Sequence, residues 1–390
     1  MMRVFFLLLA LCLSGCQSTP KLTKAEKIAQ QQAEAVALAD KASAELNDRG
    51  HRYRDITYQA YLQSLMQRLT TAEERQQYSL QLFLSSNPLV NAFAFPNGDI
   101  YIQLGLLTIT DNEAELAFVL AHEIEHVLQE HGRITRTQRS KTMVSAHILD
   151  LLTFGTGLAY LPAISELSSH SKEMEFQADK AGLERWQRAG FSHPQITEVL
   201  ARLNNGEVPR DDWFAYRTHP ENSERVLALA PLLKPAELSP NPEGFDTEMQ
   251  RIRLQATGMK LKRRLYFSAL RDAAQLSSPW RELFEAEAWL GLAQYPRPAA
   301  REKAWLMDED AEDWQAQIEA KKEQYLQQAQ AHVTAVGAES PVYARSQRVR
   351  GDVERLLGNN DAARTAYQRF LTLSESPAEQ AYVRTLIEKL

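Results

Sequence analysis

Cysteine is nearly absent from this sequence of 390 residues, which contains only Cys12 and Cys16. The chain beyond position 16 therefore has no pair of cysteines that could form a disulfide, even in a compartment that permits one. Thiolate ligands are excluded there as well. Any transition-metal site in the body of the protein must use histidine, aspartate or glutamate instead.

A strong charge imbalance is also missing, since the net charge is −6 and acidic and basic residues are mixed along the chain. Nucleic-acid-binding proteins present a basic face, so we expect no nucleic-acid partner. Hydrophobic residues make up 44% of the sequence, which is ample for a packed core. The length accommodates roughly two to three domains of ordinary size.

Long apolar runs are scarce, and residues 4–13 are too few to span a membrane. They follow the basic Arg3 and lead into Leu13-Ser14-Gly15-Cys16, which resembles a bacterial lipoprotein signal. The resemblance implies cleavage after residue 15 and acylation of Cys16. Because residue 17 is glutamine, it also implies a lipid anchor at the periplasmic face of the outer membrane. An ordinary cleaved signal peptide with a chance cysteine is the alternative.

Two other segments could contact a membrane. Residues 21–47 predict a helix with a weak apolar face, and we interpret residues 16–50 as a tether and a solvated spacer helix. Residues 142–167 are apolar, but Gly155, Gly157 and Pro162 interrupt them, unlike a membrane span. For this second segment we favour a buried helix pair over a hydrophobic flap or a membrane-surface segment near a cleft.

A small sheet is indicated between two helices. Residues 58–69 are amphipathic and predict a helix, and residues 78–84 alternate like a strand. Residues 91–102 contain two apolar runs around Pro96-Asn97-Gly98-Asp99, which is a hairpin signal. Asn112, with Glu115 three residues later, predicts the start of a helix over residues 113–130, which Gly132 can end.

This last helix contains His122-Glu123-Ile124-Glu125-His126. The two histidines lie one turn apart on one face and could hold one Zn²⁺ through their ring nitrogens. Glu123 is the neighbour that can take a proton from a water activated by the metal. For the motif by itself, two hydrogen-bonded histidines in a buried helix are the alternative.

A second pair of residues favours a metal site over that alternative. Glu175 and Asp179 also lie one turn apart on a predicted helix. Glu175 would complete a set of two histidines and one glutamate, with the fourth zinc position left for water. Asp179 could then accept the other ring N–H of a ligand histidine and fix its tautomer. Without the histidine motif, the two carboxylates would indicate a solvated acidic face.

These residues belong to a series of motifs that resembles the M48 metallopeptidases over about residues 55–229. This gluzincin family includes CAAX-processing peptidases and soluble periplasmic members. The resemblance implies one Zn²⁺ per chain, held by His122, His126 and Glu175, with Glu123 as general base and Asp179 supporting a ligand histidine. The matching segments, in order, are Asn91-Ala92-Phe93-Ala94-Phe95-Pro96-Asn97-Gly98, Gly105-Leu106-Leu107, residues 115–127, Glu175-x-Gln177-Ala178-Asp179 and Thr218-His219-Pro220.

The resemblance extends to substrate and gating residues. It implies that His219 approaches the metal, either to stabilise an oxyanion or to latch the open zinc position; a helix-capping histidine is the alternative. It also implies that an extended substrate pairs with the edge strand whose substrate-binding residues are Asn91, Ala92, Phe93 and Ala94. The same hairpin could serve the core alone, and both roles can hold together.

Two departures from the family pattern matter. Glu125 replaces a glycine that is frequent before the second ligand histidine. It lies about 100° around the helix from His126, so we expect activity to survive. Lys172 follows Ser171 where many members have arginine, which puts a bidentate role of that arginine in doubt.

The C-terminal part of the sequence has a helical pattern. Residues 236–246 resemble a linker, and residues 247–390 predict an α-helical region. Part of it resembles a tetratricopeptide repeat, and a weaker second candidate surrounds Trp289 and Gly291. A generic helical cap on the preceding domain is the alternative. The repeat-like positions are Gly351, Leu357, Gly358, Ala363, Tyr367 and Phe370.

We therefore expect an α+β, mostly α protein. It has a signal peptide (1–15), a tether and helix (16–50), a zincin-like metallopeptidase domain with a small sheet (51–235) and a helical, tetratricopeptide-like region (247–390). The expected activity is zinc-dependent endopeptidase cleavage of protein or peptide substrates. The lipoprotein-like signal and the helical region suggest degradation of misassembled envelope proteins, with outer-membrane assembly components as partners.

Two other functions stay open with different weight. A chaperone-like or protein-binding module with latched or minor proteolysis is the main alternative. A CAAX-type membrane peptidase is disfavoured, because no stretch after Cys16 resembles a clean transmembrane helix.

Overall fold

The computed structural model describes residues 22–48, 50–134, 170–204, 222–233, 235, 237–294 and 320–390. Cys16, His219 and the apolar residues 142–167 lie outside these ranges, so the expectations attached to them stay predictions. The described part is mostly helical with a three-stranded sheet, which confirms the predicted fold class.

The helices of the first half are α1 (Lys24–Asp48), α2 (Ile56–Leu69), α3 (Ala72–Gln77), α4 (Leu104–Leu107), α5 (Glu113–Leu128), α6 (Lys172–Arg188), α7 (Thr197–Asn204) and α8 (Asn222–Leu229). A 3₁₀ turn, Ala230–Leu232, follows α8. The second half contains α9 (Phe245–Lys262), α10 (Tyr266–Ala273), α11 (Trp280–Gln294), α12 (Lys322–Thr334), α13 (Tyr343–Leu356), α14 (Asn360–Leu373) and α15 (Pro377–Ile387).

The sheet contains β1 (Gln81–Ser85), β2 (Ala92–Ala94) and β3 (Asp99–Gln103), in the order β1-β3-β2. β1 runs parallel to β3, and β2 runs antiparallel to it, with Phe93 opposite Tyr101. The predicted hairpin is therefore confirmed. Its turn requires glycine at position 98, because φ is +95° and an added Cβ would lie 2.1 Å from the carbonyl oxygen of Tyr78.

The two faces of this sheet bury different partners, as the alternation of side chains along a strand allows. Ala92, Ala94, Ile100 and Ile102 point into the main core with α2, α4 and α5. The opposite face is aromatic, where Phe93, Phe95 and Tyr101 pack against each other and against α1.

Helix α1 is therefore part of the folded body, and its interpretation as a solvated spacer is wrong. Ala35, Ala39, Ala42 and Leu46 are at most 3% exposed. Ser43 hydrogen-bonds to Asp99 and to Tyr101, the latter at 2.6 Å between hydroxyl oxygens. Alanine is too weakly apolar to give a clear hydrophobic pattern for a buried face in the sequence. Its small side chain nevertheless allows a helix to pack closely on aromatic rings.

The main core extends beyond the predicted linker. Phe245, Met249, Ile252 and Ala256 of α9 are buried in the same cluster as the sheet and α5. Leu254 and Leu261 of the same helix pack against the cluster formed by α10 to α13. Helix α9 thus belongs to two cores at once and joins the helical region to the sheet-containing domain.

Close glycine–tyrosine contacts recur in the helical region. A Cβ on Gly351 of α13 would lie 2.3 Å from the Tyr367 ring of α14, and one on Gly291 of α11 would lie 2.2 Å from the Tyr266 ring of α10. Both glycines therefore permit neighbouring helices to approach closely. This packing is compatible with the predicted tetratricopeptide character, which stays a prediction.

Among the residues that the structure describes, the helices are too short or too polar to cross a bilayer.

The docking of α1 gives a first testable prediction. Ala39 is fully buried, whereas Ala37 on the same helix is exposed. Ala39→Glu would place an unpaired carboxylate against the aromatic face and should lower the unfolding free energy by about 2 kcal/mol or more. Ala37→Glu is the matched control and should have little effect. Chemical denaturation measures both; equal stability of the two variants would mean that α1 does not depend on this face.

Candidate metal centre

Helix α5 carries the histidine motif and is buried along almost its whole length, from Glu113 to Val127. Asn112 caps its start as predicted, accepting the backbone N–H of Glu115 at 2.9 Å. The Glu115 carboxylate accepts the N–H of Asp111 rather than that of Asn112, so the reciprocal bond is shifted by one residue. The helix ends at Leu128, earlier than the predicted stop at Gly132.

The three expected zinc ligands converge on one point. The Nε2 atoms of His122 and His126 lie 2.9 Å apart. Glu175 Oε2 is 3.5 Å from His122 Nε2, and Glu175 Oε1 is 3.4 Å from His126 Nε2. All three residues are buried, and their donor atoms lie within 4.8 Å of one another. Two imidazoles and one carboxylate form a donor set typical of catalytic zinc, so these residues fit a Zn²⁺ ion.

Helix α6 brings Glu175 to this point because it packs closely on α5. Ser171 caps its start by accepting the N–H of Met174. A Cβ on Gly182 would lie only 3.1 Å from His122 Cα, so glycine permits the close approach. One turn further along, Trp186 donates from Nε1 to the carbonyl of Ala114 at 2.8 Å. These contacts fix the register between the ligand-bearing turns of the two helices.

Asp179 lies beside His122. Its Oδ1 is 2.9 Å from His122 Nδ1, so it accepts the ring N–H on the side of the imidazole away from the other ligands. The carboxylate thereby favours the tautomer of His122 whose Nε2 can bind a metal.

Arg225 of α8 completes this arrangement and was missed by sequence reasoning. It is 1% exposed and donates to both oxygens of Asp179, each at 2.7 Å. Its Nη1 is also 3.2 Å from Glu175 Oε2. A single arginine on a short mixed helix gives no pattern, and only its position six residues after His219 in a matched motif could have drawn attention to it.

The charges at this site shift the pKa values of its members. Burial would raise the pKa of Asp179, but the guanidinium of Arg225 and its hydrogen bonds hold that pKa below its usual value. Burial and Arg225 both lower the pKa of His122, yet hydrogen bonds to Asp179 and Glu175 outweigh them and raise it. A metal ion must therefore compete with a proton for His122.

Two further histidines surround His126, and neither was predicted. His131 lies with its Nδ1 2.9 Å from His126 Nδ1, and its Nε2 is 3.3 Å from Gln177 Oε1. The His170 ring stacks on the His126 ring, with centroids 3.8 Å apart and an interplanar angle of 16°. Burial lowers the pKa of His131, which favours its neutral form.

Glu123 and Glu125 flank the ligands in different surroundings. Glu123 is 2% exposed and directly follows His122 in α5. Glu125 accepts from Arg185 Nε at 2.7 Å, and Arg185 also pairs with both oxygens of Glu74. Glu125 therefore faces a structural ion-pair network, as its angular distance from His126 led us to expect. At the start of α6, Lys172 pairs with Glu224 of α8 instead of making a bidentate contact.

Strand β2 is the outer strand of the sheet that the structure describes, and it lies beside α5. Its hydrogen-bonded positions with β3 include Asn91 opposite Gln103 and Phe95 opposite Asp99. Because these positions alternate in an antiparallel pair, the peptide groups of Ala92 and Ala94 point away from β3. The Phe93 side chain packs on the α1 face, and by the same alternation its main-chain N–H and C=O point toward Tyr101 of β3. A small cavity joins Ala94 and Pro96 to His126 and His170.

Comparison with known proteins matches residues 57–232 to peptidase family M48. A beta-barrel assembly-enhancing protease of Escherichia coli (strain K12) is 32% identical over 155 residues, covering 37% of this chain and 32% of that protein. The mitochondrial metalloendopeptidase OMA1 of Schizosaccharomyces pombe is 26% identical over 183 residues, covering 46% of this chain and 54% of that protein. The chain thus spans about a third of the length of the beta-barrel assembly-enhancing proteases it matches.

The buried Arg225–Asp179 pair gives a second prediction. Arg225→Gln leaves the Asp179 carboxylate buried without its guanidinium and should lower the unfolding free energy of the metal-free protein by about 3–5 kcal/mol. The double variant Arg225→Gln/Asp179→Asn should lose less than the sum of the single changes, because both charges are removed. The exposed Arg384→Gln is the control. Strict additivity in chemical denaturation would contradict the pairing.

Proposed function

Because residues 57–232 match peptidase family M48, we propose that the chain is a zinc-dependent metalloendopeptidase. One observation carries this proposal: His122, His126 and Glu175 converge in a buried cluster, and Glu123 is adjacent on the same helix. A buried cluster with two imidazoles and one carboxylate leaves one zinc position for water or substrate.

The residues of the chain divide the work of hydrolysis among them. Zn²⁺ held by His122, His126 and Glu175 would polarise the scissile carbonyl and make a water molecule acidic near neutral pH. Glu123 accepts the proton of the attacking water and returns it to the leaving amine. Asp179 holds His122 in the tautomer that leaves Nε2 available, and Arg225 keeps Asp179 ionised and oriented.

The edge strand β2 supplies a binding mode for an extended peptide. The outward peptide groups of Ala92 and Ala94 can pair with the main chain of a substrate, adding a strand to the sheet. The cavity beside Ala94 and Pro96 leads toward His126, so a peptide on this edge would run past the metal ligands. Main-chain pairing recognises no particular side chain, which suits a protease with broad sequence tolerance.

The role of Glu123 is tested by Glu123→Gln, which should retain zinc and lower casein cleavage by about 10²–10⁴-fold. Glu184→Gln on the exposed face of α6 is the control and should cleave normally. Metal analysis and a cleavage assay are run on each protein. Loss of zinc in the Glu123 variant would assign Glu123 to the metal instead, and normal cleavage by that variant would remove Glu123 from the mechanism.

His219→Ala, in the same assay, should increase cleavage if His219 latches the zinc.

We further propose that the protease acts in quality control of envelope proteins, lipid-anchored through Cys16 at the periplasmic face of the outer membrane. Three observations support this role. The N-terminus resembles a lipoprotein signal, a helical region follows the peptidase domain, and one similar protein is named for enhancing beta-barrel assembly. Misassembled outer-membrane proteins are then the substrates, and assembly components are the partners.

This role predicts that misassembled outer-membrane proteins persist longer in cells that carry Glu123→Gln than in cells with the wild-type chain. Pulse-chase labelling during assembly stress measures their half-lives, and Cys16→Ser tests the anchor by fractionation. Equal half-lives in both strains would refute the role in envelope quality control. The conclusion about protease activity, which is tested with casein, would not change.

A protein-binding module remains the second candidate, favoured by the helical region that shares α9 with the peptidase core. In that case Glu123→Gln would retain full function in cells and would still associate with client proteins.

A further inference from the structure

The end of helix α5 returns the chain toward the metal centre. In a continuous helix, residue 131 would lie about 140° around the axis from residue 126 and roughly 7.5 Å further along it. The two side chains could not face each other in that geometry. The helix instead ends at Leu128, and Glu130 adopts a left-handed conformation with φ of +56°. This break brings His131, which is 1% exposed, back against His126.

The contact is made on the side of His126 away from the other ligands. His126 directs Nε2 toward His122 and Glu175, and its Nδ1 lies 2.9 Å from Nδ1 of His131. His131 has its second nitrogen, Nε2, 3.3 Å from Oε1 of Gln177. A chain of two hydrogen bonds thus runs from a metal ligand through a buried imidazole to a side-chain amide of α6.

The chemistry of these groups allows one arrangement of protons. A metal bound to Nε2 of His126 requires the ring proton on Nδ1. The Nδ1 of His131 must then accept that proton's hydrogen bond, so the proton of His131 lies on Nε2. That N–H donates to Gln177 Oε1, which is an acceptor only.

We propose that His131 and Gln177 are positioning residues that hold His126 in the Nδ1–H tautomer and fix the angle at which its Nε2 meets the metal. The proposal rests on the zinc site of the proposed function and deepens it. Neither residue touches the reacting atoms, and both act through His126.

The two ligand histidines are thus supported by different chemistry. His122 is backed by a carboxylate that pairs with a guanidinium, whereas His126 is backed by a neutral imidazole and a neutral amide. Gln177 lies between Glu175 and Asp179 on α6, so one helix supplies a ligand and the outer support of both histidines. The neutral chain orients His126 without adding negative charge to a site that already contains Glu123, Glu175 and Asp179.

Substitutions at His131 separate an acceptor role from simple packing. His131→Asn keeps an acceptor near the position of Nδ1, whereas His131→Leu fills comparable space without one. The full-length zinc protein of each variant is titrated against a chelator. We expect His131→Leu to weaken zinc binding by about 10–100-fold and His131→Asn to recover most of that loss. His332→Leu in the helical region, remote from the site in the chain, is the matched control and should bind zinc like the wild type.

Gln177 is tested in the same titration. Gln177→Leu should weaken zinc binding several-fold, and Gln177→Glu, which keeps an acceptor oxygen, should not. Equal affinities for the leucine and asparagine variants of His131 would overturn the proposal. A wild-type chain that binds no zinc would overturn the proposed function as well, so the two failures are distinguishable.

Protonation of the ring gives a readout that does not depend on affinity. Long-range ¹H–¹⁵N spectra of the zinc-loaded protein with ¹⁵N-labelled histidine distinguish the two neutral tautomers. The proposed chain of hydrogen bonds requires His131 to carry its proton on Nε2. The His131 signal is assigned by its loss from the spectrum of His131→Asn. A proton on Nδ1 of His131 would overturn the proposal even if every variant folds and binds zinc normally.

Discussion

The packing of α6 against α5 is the contact on which the metal centre depends. Glu175 can reach His122 and His126 only because Gly182 leaves room for one helix to lie directly on the backbone of the other. The hydrogen bond from Trp186 to Ala114 fixes how far along α5 the second helix lies. A shift of one turn, about 5.4 Å, would separate the carboxylates from the imidazoles.

Close packing also buries charged side chains, and the site contains partners that offset the free-energy cost of burying them. A buried carboxylate without a partner is strongly destabilising. Asp179 therefore pairs with Arg225 through both oxygens, and Glu175 lies against the same guanidinium. These contacts allow the fold to hold several ionisable groups in a place from which water is largely excluded. The same exclusion strengthens the electrostatic interactions that hydrolysis would use.

The rest of the molecule supports this pair of helices from both sides. The inner face of the sheet packs on α5, and its outer aromatic face is covered by α1. Helix α9 contributes Met249 and Ile252 to the same core, although it also packs against the helices that follow it. A partner bound to the helical region would therefore contact a body that shares a helix with the sheet-containing domain.

Local patterns in the sequence determined the parts of the protein that depend on neighbouring residues. The spacing of His122 and His126, the cap at Asn112, the hairpin turn at Gly98 and the pair Glu175–Asp179 each follow from helix or turn geometry. The arrangement that combines them depends on contacts between residues far apart in the chain. Arg225, the return of His131 and the burial of the alanine face of α1 have no periodicity to announce them. Only the tertiary structure decides such contacts, because each depends on how closely two elements pack rather than on the preference of either one.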